Sequence, residues 1–174
     1  MTSTQILLTV LGHIPRWVWA ILAFIVVMGL IQSRDRLMGR GRLMVLPLAW
    51  TAFGAWGVEQ AFGLHTLPLL AWGAGLLIGL ALLRRAGGPA GARFDGDSGR
   101  FFVPGSWLPL ALMLAIFVAK FALGMSLAFQ PELADLGPVQ AGFSLVFGSI
   151  GGALLGRSRQ ILARAPAALR MAGA

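Results

Sequence analysis

The sequence predicts an all-α membrane protein, a bundle of five transmembrane helices with a short cytoplasmic β-hairpin between the third and fourth. Three observations carry that expectation. The chain is 57% hydrophobic and 11% charged, with a mean hydropathy of +0.81. A soluble domain carries roughly a quarter charged residues, so a chain this apolar cannot give itself a polar coat. Apolar runs recur at about 16–32, 43–63, 67–83, 107–129 and 138–156, each near the roughly 20 residues that cross hydrocarbon. Arginines gather after the first, third and fifth runs, on one side of a five-span arrangement. A single integral membrane domain over 1–174 follows, with a basic tail at 157–174.

The elements can be justified in order. The opening MTSTQILLTVLGHIPRW lacks the positive start and small-residue cleavage site of a signal peptide, so the first apolar segment is expected to stay in the mature chain. Runs two and three are separated only by Leu64-His65-Thr66. About 40 apolar residues are too many for one crossing, so these two must form an antiparallel hairpin. Thr66 and Ser106 are suited to cap spans three and four, with Pro68 and Pro109 in their first turns. Pro131 stops span four and Pro138 opens span five.

The long polar connection at 84–106 holds Arg93-Phe94-Asp95 and Arg100-Phe101-Phe102-Val103 around Asp97-Ser98-Gly99. That pattern reads as a β-hairpin whose phenylalanines rest on the cytoplasmic interface; a mobile linker is the alternative. The tail is expected to be solvated and frayed, or else an interfacial helix broken at Pro166.

Charge orients the chain. Arg34, Arg36, Arg40 and Arg42 follow span one; Arg84, Arg85, Arg93 and Arg100 follow span three; Arg157, Arg159, Arg164 and Arg170 follow span five. Arg16 stands alone on the opposite side, where Glu132 and Asp135 also fall. Basic loops stay in the cytoplasm, so the N-terminus is expected outside and the C-terminus inside a bacterial inner membrane. The formal charge of +8 thus sets topology and touches anionic lipid of the inner leaflet, and no nucleic-acid partner is expected.

Chemistry is narrowed by what is missing. Without cysteine the chain has no disulfide, thiolate metal site or cysteine nucleophile. Without tyrosine, interface anchoring falls to the six tryptophans. No phosphate-cradling glycine loop, metalloprotease pattern or Gly-x-Ser-x-Gly elbow occurs, so a non-enzymatic protein is expected. His13 and His65 both fall at the outer edge and could together hold a metal or haem, although interface histidines without a ligand are commoner. No cofactor is expected.

Helix contacts in lipid depend on small residues that let backbones approach. Gly148, Gly152 and Gly156 repeat every four residues in span five, Ala71, Gly75 and Gly79 in span three, and Ala111, Ala115 and Ala119 in span four. A compact bundle is the first reading, with a homodimer seam on span five as the second.

Two charges lie inside the apolar runs: Lys120 and Glu59. At 1.5 Å per residue Glu59 lies about 24 Å along its span and Lys120 about 20 Å along its own, both running outward. The expectation is an intramembrane ion pair, serving either helix register or a proton- or substrate-binding site. Function divides accordingly. The first reading is a structural or accessory protein that supports a membrane partner; the alternative is a small carrier or channel centred on Glu59 and Lys120.

Two stretches carry a resemblance: His13-Ile14-Pro15-Arg16-Trp17-Val18-Trp19, and Val103-Pro104-Gly105-Ser106-Trp107 leading to Lys120-Phe121. They resemble a bacterial family of small, uncharacterised multi-pass inner-membrane proteins, which usually open with His-Thr-Pro; here Ile14 stands in the threonine position. The resemblance implies a multi-helix bundle in a bacterial inner membrane and no established activity. A more remote likeness is to the small multi-pass proteins associated with cytochrome c maturation.

Overall fold

A computed structural model describes residues 16–164. Its helices are α1 (Arg16–Gln32), α2 (Arg40–Phe62), α3 (Thr66–Ala86), α4 (Leu108–Phe129) and α5 (Gly137–Leu162). Strand β1 (Arg36–Met38) precedes α2, strands β2 (Arg93–Asp95) and β3 (Arg100–Val103) lie between α3 and α4, and a 3-10 turn (Pro131–Asp135) precedes α5. The helix bounds coincide with the five apolar runs, except that α5 continues past Gly156 into the basic segment. Prolines mark four of the boundaries. Pro68, Pro109 and Pro138 sit in first turns, where a missing N–H costs no hydrogen bond, and Pro131 begins the turn after α4.

Helix α5 is the centre of the bundle, touching α2, α3 and α4, while α1 packs on α4. The closest pair is α3 with α5. A Cβ added at Gly75 or Gly79 would collide with the carbonyl of Leu145 or Ser149. In return, one at Gly148 or Gly152 would collide with the carbonyl of Trp72 or Leu76. Each helix therefore supplies the gap the other's backbone fills, the close approach that small residues permit in lipid. Gly156 continues the seam against Leu83. The glycine face of α5, for which a compact bundle was the first reading and a homodimer seam the second, is thus covered by α3 within one chain. The alanine row of α4 does not pack as expected. Ala111 and Ala115 are exposed, and the buried face is Pro109, Met113, Ile116 and Leu123.

Three helices, α3, α4 and α5, are long and apolar enough to cross a membrane. Helix α1 is a shorter apolar helix, and α2 dilutes its apolar residues with Pro47, Trp50, Thr51, Gly54 and Glu59. The outer surface is nonetheless oily throughout. Phe24 on α1, Val45 on α2, Leu70 on α3 and Val118 on α4 are 57%, 65%, 68% and 61% exposed. An apolar exterior on this scale belongs against lipid or another protein.

One end of the bundle is closed by a three-stranded antiparallel sheet of order β1-β3-β2. The hairpin read from the sequence is present, with Phe94 opposite Phe101 and Arg93 opposite Phe102. Their rings and charge meet across the strands: Phe94 and Phe101 at 5.2 Å, edge-on, and the Arg93 guanidinium 4.4 Å above Phe102. Gly99 makes the turn with φ +65°, a left-handed value glycine adopts without steric cost.

The phenylalanines do not all rest at an interface. Phe101 is fully buried in a core with Met38, Leu43, Val103 and Ile161. That core ties the sheet to the start of α2 and the end of α5. Gln160 Nε2 also donates to the Leu83 carbonyl, joining the ends of α3 and α5. All three arginine-rich connections therefore meet at this end, while a second core of Val58, Phe62, Leu123 and Phe147 lies toward the other.

Candidate functional site

The setting of Lys120 is built from three helices. Lys120 lies 12 residues beyond Leu108 in a 22-residue helix, so about 18 Å along a rod of about 33 Å. It continues the stripe Pro109, Met113, Ile116, Leu123 at alternating spacings of four and three, which points it into the bundle. There its ammonium lies 5.2 Å from the centre of the Phe53 ring on α2 and 5.1 Å from that of Phe147 on α5. It nestles against Gly57, where a Cβ would occupy the position of Nζ. Phe53 and Gly57 are one helical turn apart, so one face of α2 presents a ring and beside it a gap.

Magnitudes explain why rings suffice. A charge at mid-helix in a bilayer costs about 2.5–3.5 kcal/mol on insertion scales. A cation–π contact contributes about 0.5–1 kcal/mol at an exposed ring and about 2 kcal/mol at a desolvated one. Phe147 is buried and Phe53 is 44% exposed, so the two contacts together are of the same size as the cost.

Among the described residues Lys120 thus meets rings rather than Glu59. Glu59 follows Gly57 by two residues, so it projects about 200° round the helix from the face that meets the lysine. It also lies in the last turn of α2, where its carboxylate accepts a hydrogen bond from Gln60 Nε2 at 3.1 Å. Depth along each helix can be counted from residue numbers, but helix phase decides which residue Lys120 meets. Phe53 and Phe147 were missed because a phenylalanine in an apolar run carries no signal of its own. The pairing of Lys120 with the buried stripe was the available clue.

His65 sits immediately before α3, at its N-cap, with its ring near Gly63, and His13 lies outside the described residues. No group of three or more potential metal ligands occurs among the described residues.

The Val103-Pro104-Gly105-Ser106-Trp107 stretch is a joint. Val103 is buried under the sheet, and a Cβ at Gly105 would collide with the Ser33 carbonyl at the end of α1. The Ser106 N–H donates to the Gln32 carbonyl at 3.1 Å. Ser106 Oγ accepts from the Leu108 N–H and from Arg157 Nη1, each at 3.2 Å. The serine is not the N-cap expected of it, since Trp107 holds that position without a side-chain cap; from one residue earlier it takes the first helical N–H and fixes α5 to the start of α4. Beside this joint a cavity is lined by Arg36, Arg42 and Arg157. Sequence analysis assigned those arginines to topology and to contact with anionic lipid, and did not bring them together.

Fold and site together define a helical membrane-type bundle with an aromatic-held lysine and a basic, sheet-capped end. The chain belongs to a family of unknown function (DUF6622), whose model matches residues 1–169. No curated protein and no solved structure matched it.

Proposed function

We propose that the chain is a small non-enzymatic integral membrane protein of five crossings, with a structural or accessory role toward a membrane partner in a bacterial inner membrane. The observation that carries this reading is the seating of Lys120. A carrier needs its polar centre open to an aqueous path, whereas this ammonium is held between two rings and a glycine. Among the described residues, the two best-formed cavities are lined by neither Lys120 nor Glu59. The apolar exterior of α1 to α4 supports contact with lipid or a partner helix. The gathering of the arginine connections at the sheet end supports that end as cytoplasmic, with the N-terminus outside. The 3-10 turn bearing Glu132 and Asp135 then lies on the far side.

The test is reconstitution into sealed vesicles with an internal pH dye, alongside photo-crosslinking in cells from probes at Trp56 and Leu70. Discrete heavier adducts and no flux attributable to Lys120 are expected. A proton or solute flux abolished by Lys120→Met would contradict the accessory role and establish the carrier.

A further inference from the structure

Three guanidinium groups from separate elements line one cavity at the sheet end: Arg36 on β1, Arg42 in the first turn of α2, and Arg157 near the end of α5. The cavity is about 50 Å³, roughly the room of four waters or one tetrahedral oxyanion. Its wall is divided. Leu46, Trp50 and Met113 form an apolar side, and Gln32 and Ser158 add polar groups beside the arginines. Pro47, in the same wall, removes one rung of the α2 hydrogen-bond ladder there.

Positive charge and N–H donors are in surplus at this place. Among the described residues, no carboxylate lines the cavity. Asp35, next to Arg36 in the chain, instead accepts the Gly105 N–H at 2.7 Å. Arg36 makes only long bonds, from Nη1 to the Ile31 carbonyl at 3.5 Å and from Nη2 to Gln32 Oε1 at 3.4 Å. Its Nε–H is buried with no partner. Arg157 gives one N–H to Ser106 Oγ; a guanidinium has five to give. Burial, and then the neighbouring Arg42, push the Arg36 guanidinium below its ordinary pKa. Three like charges converge here, and among the described residues no carboxylate in the cavity wall balances them.

We infer that this pocket binds a phosphate-type oxyanion, gripped by the forks of Arg36 and Arg157 with Arg42 at the exposed mouth. Planar guanidinium forks match the paired oxygens of such a group, which makes them better suited to this than lysine. The group can reach the pocket from two sources. It can be the headgroup phosphate of an anionic phospholipid, whose acyl chains would follow the apolar wall at Leu46 and Trp50, or it can be free inorganic phosphate. The lipid source rests on the membrane reading above; the free-phosphate source does not.

The test uses the full chain in an uncharged detergent. Its melting temperature is followed with added phosphatidylcholine, with added phosphatidylglycerol, and with inorganic phosphate against chloride at equal ionic strength. Phosphatidylglycerol or phosphate should raise the melting temperature saturably, while phosphatidylcholine and chloride should not. A rise with phosphate assigns the site to the free oxyanion as well; a rise confined to phosphatidylglycerol assigns it to the headgroup. Arg36→Gln and Arg157→Gln should each raise the half-saturating concentration about tenfold or more. Arg42→Gln should raise it severalfold, and Arg85→Gln should leave it unchanged. Two results overturn the proposal: no rise with either anion, or a rise that all three pocket substitutions leave at its wild-type concentration dependence. Because Arg42 is exposed, Arg42→Gln keeps the same criterion usable should either of the other two fail to fold. Membrane residence is read separately, by retention in alkali-washed membranes, so its failure is distinguishable from failure of the anion site.

Discussion

At the scale of single residues, Lys120 is held by what surrounds it rather than by a counter-ion, and its removal should be mild. In Lys120→Met the lost cation–π attraction is offset by the removal of a desolvated charge, so stability should change by no more than about 1 kcal/mol. Phe147 is buried to 2% exposure, and Phe147→Ala should cost roughly 3–5 kcal/mol, from the cavity and the stranded ammonium together. A double-mutant cycle separates the partners. Lys120→Met with Phe53→Leu should show a coupling of about 1 kcal/mol in detergent unfolding, and Lys120→Met with Glu59→Gln should show none. Coupling to Glu59 alone would restore the ion pair. The lysine itself was legible in the sequence because a charge in an apolar run stands out. Its neighbours were not, since rise along a helix can be counted from residue numbers whereas rotation between two helices depends on how they pack.

At the scale of elements, the α3–α5 seam and the capping sheet hold the most specific packing. Gly75→Ala and Gly152→Ala should each destabilise by roughly 1–3 kcal/mol or more, because the obstructing atoms are backbone carbonyls that cannot swing away. Gly73→Ala is the control. Open space surrounds that position, and the higher helix propensity of alanine should stabilise by up to about 1 kcal/mol. Thermal unfolding of the three variants in one detergent checks the contrast, and equal effects would place the close approach elsewhere. Phe101→Ala should cost roughly 3–5 kcal/mol by the same measurement, as the fully buried centre of the sheet-end core. Apolar runs and prolines made the helix bounds legible, and the Asp97-Ser98-Gly99 turn made the hairpin legible. Strand β1 was not. Arg36-Leu37-Met38 is too short to show an alternation, and it becomes a strand only by pairing with β3, more than 60 residues on (Arg36 opposite Val103). The alanine row of α4 misled for a related reason: small residues permit close contact, but whether a helix is approached on that face depends on where its neighbours lie.

At the scale of the whole molecule, one physical arrangement accounts for the composition, the oily exterior and the divided ends. Helix α5 is the buried axis, α2 and α3 pack directly against it, and α1 reaches the bundle through α4. Arginines and the sheet close one end, and the acidic 3-10 turn lies at the other. Five crossings were expected from the sequence. Length and hydropathy alone carry three of them, so α1 and α2 are the helices on which that number depends. The cysteine-free chain allows a direct measurement. Single cysteines are placed at Ser3 ahead of α1, Arg34 between α1 and α2, Leu64 in the α2–α3 turn, Asp97 at the hairpin tip and Glu132 in the 3-10 turn, and each is exposed to a membrane-impermeant thiol reagent on intact cells. Labelling of Ser3→Cys, Leu64→Cys and Glu132→Cys, with Arg34→Cys and Asp97→Cys protected until the cells are opened, is the result expected of five helices crossing with the sheet inside. Labelling of Arg34→Cys or Asp97→Cys from the same side as Leu64→Cys would contradict it.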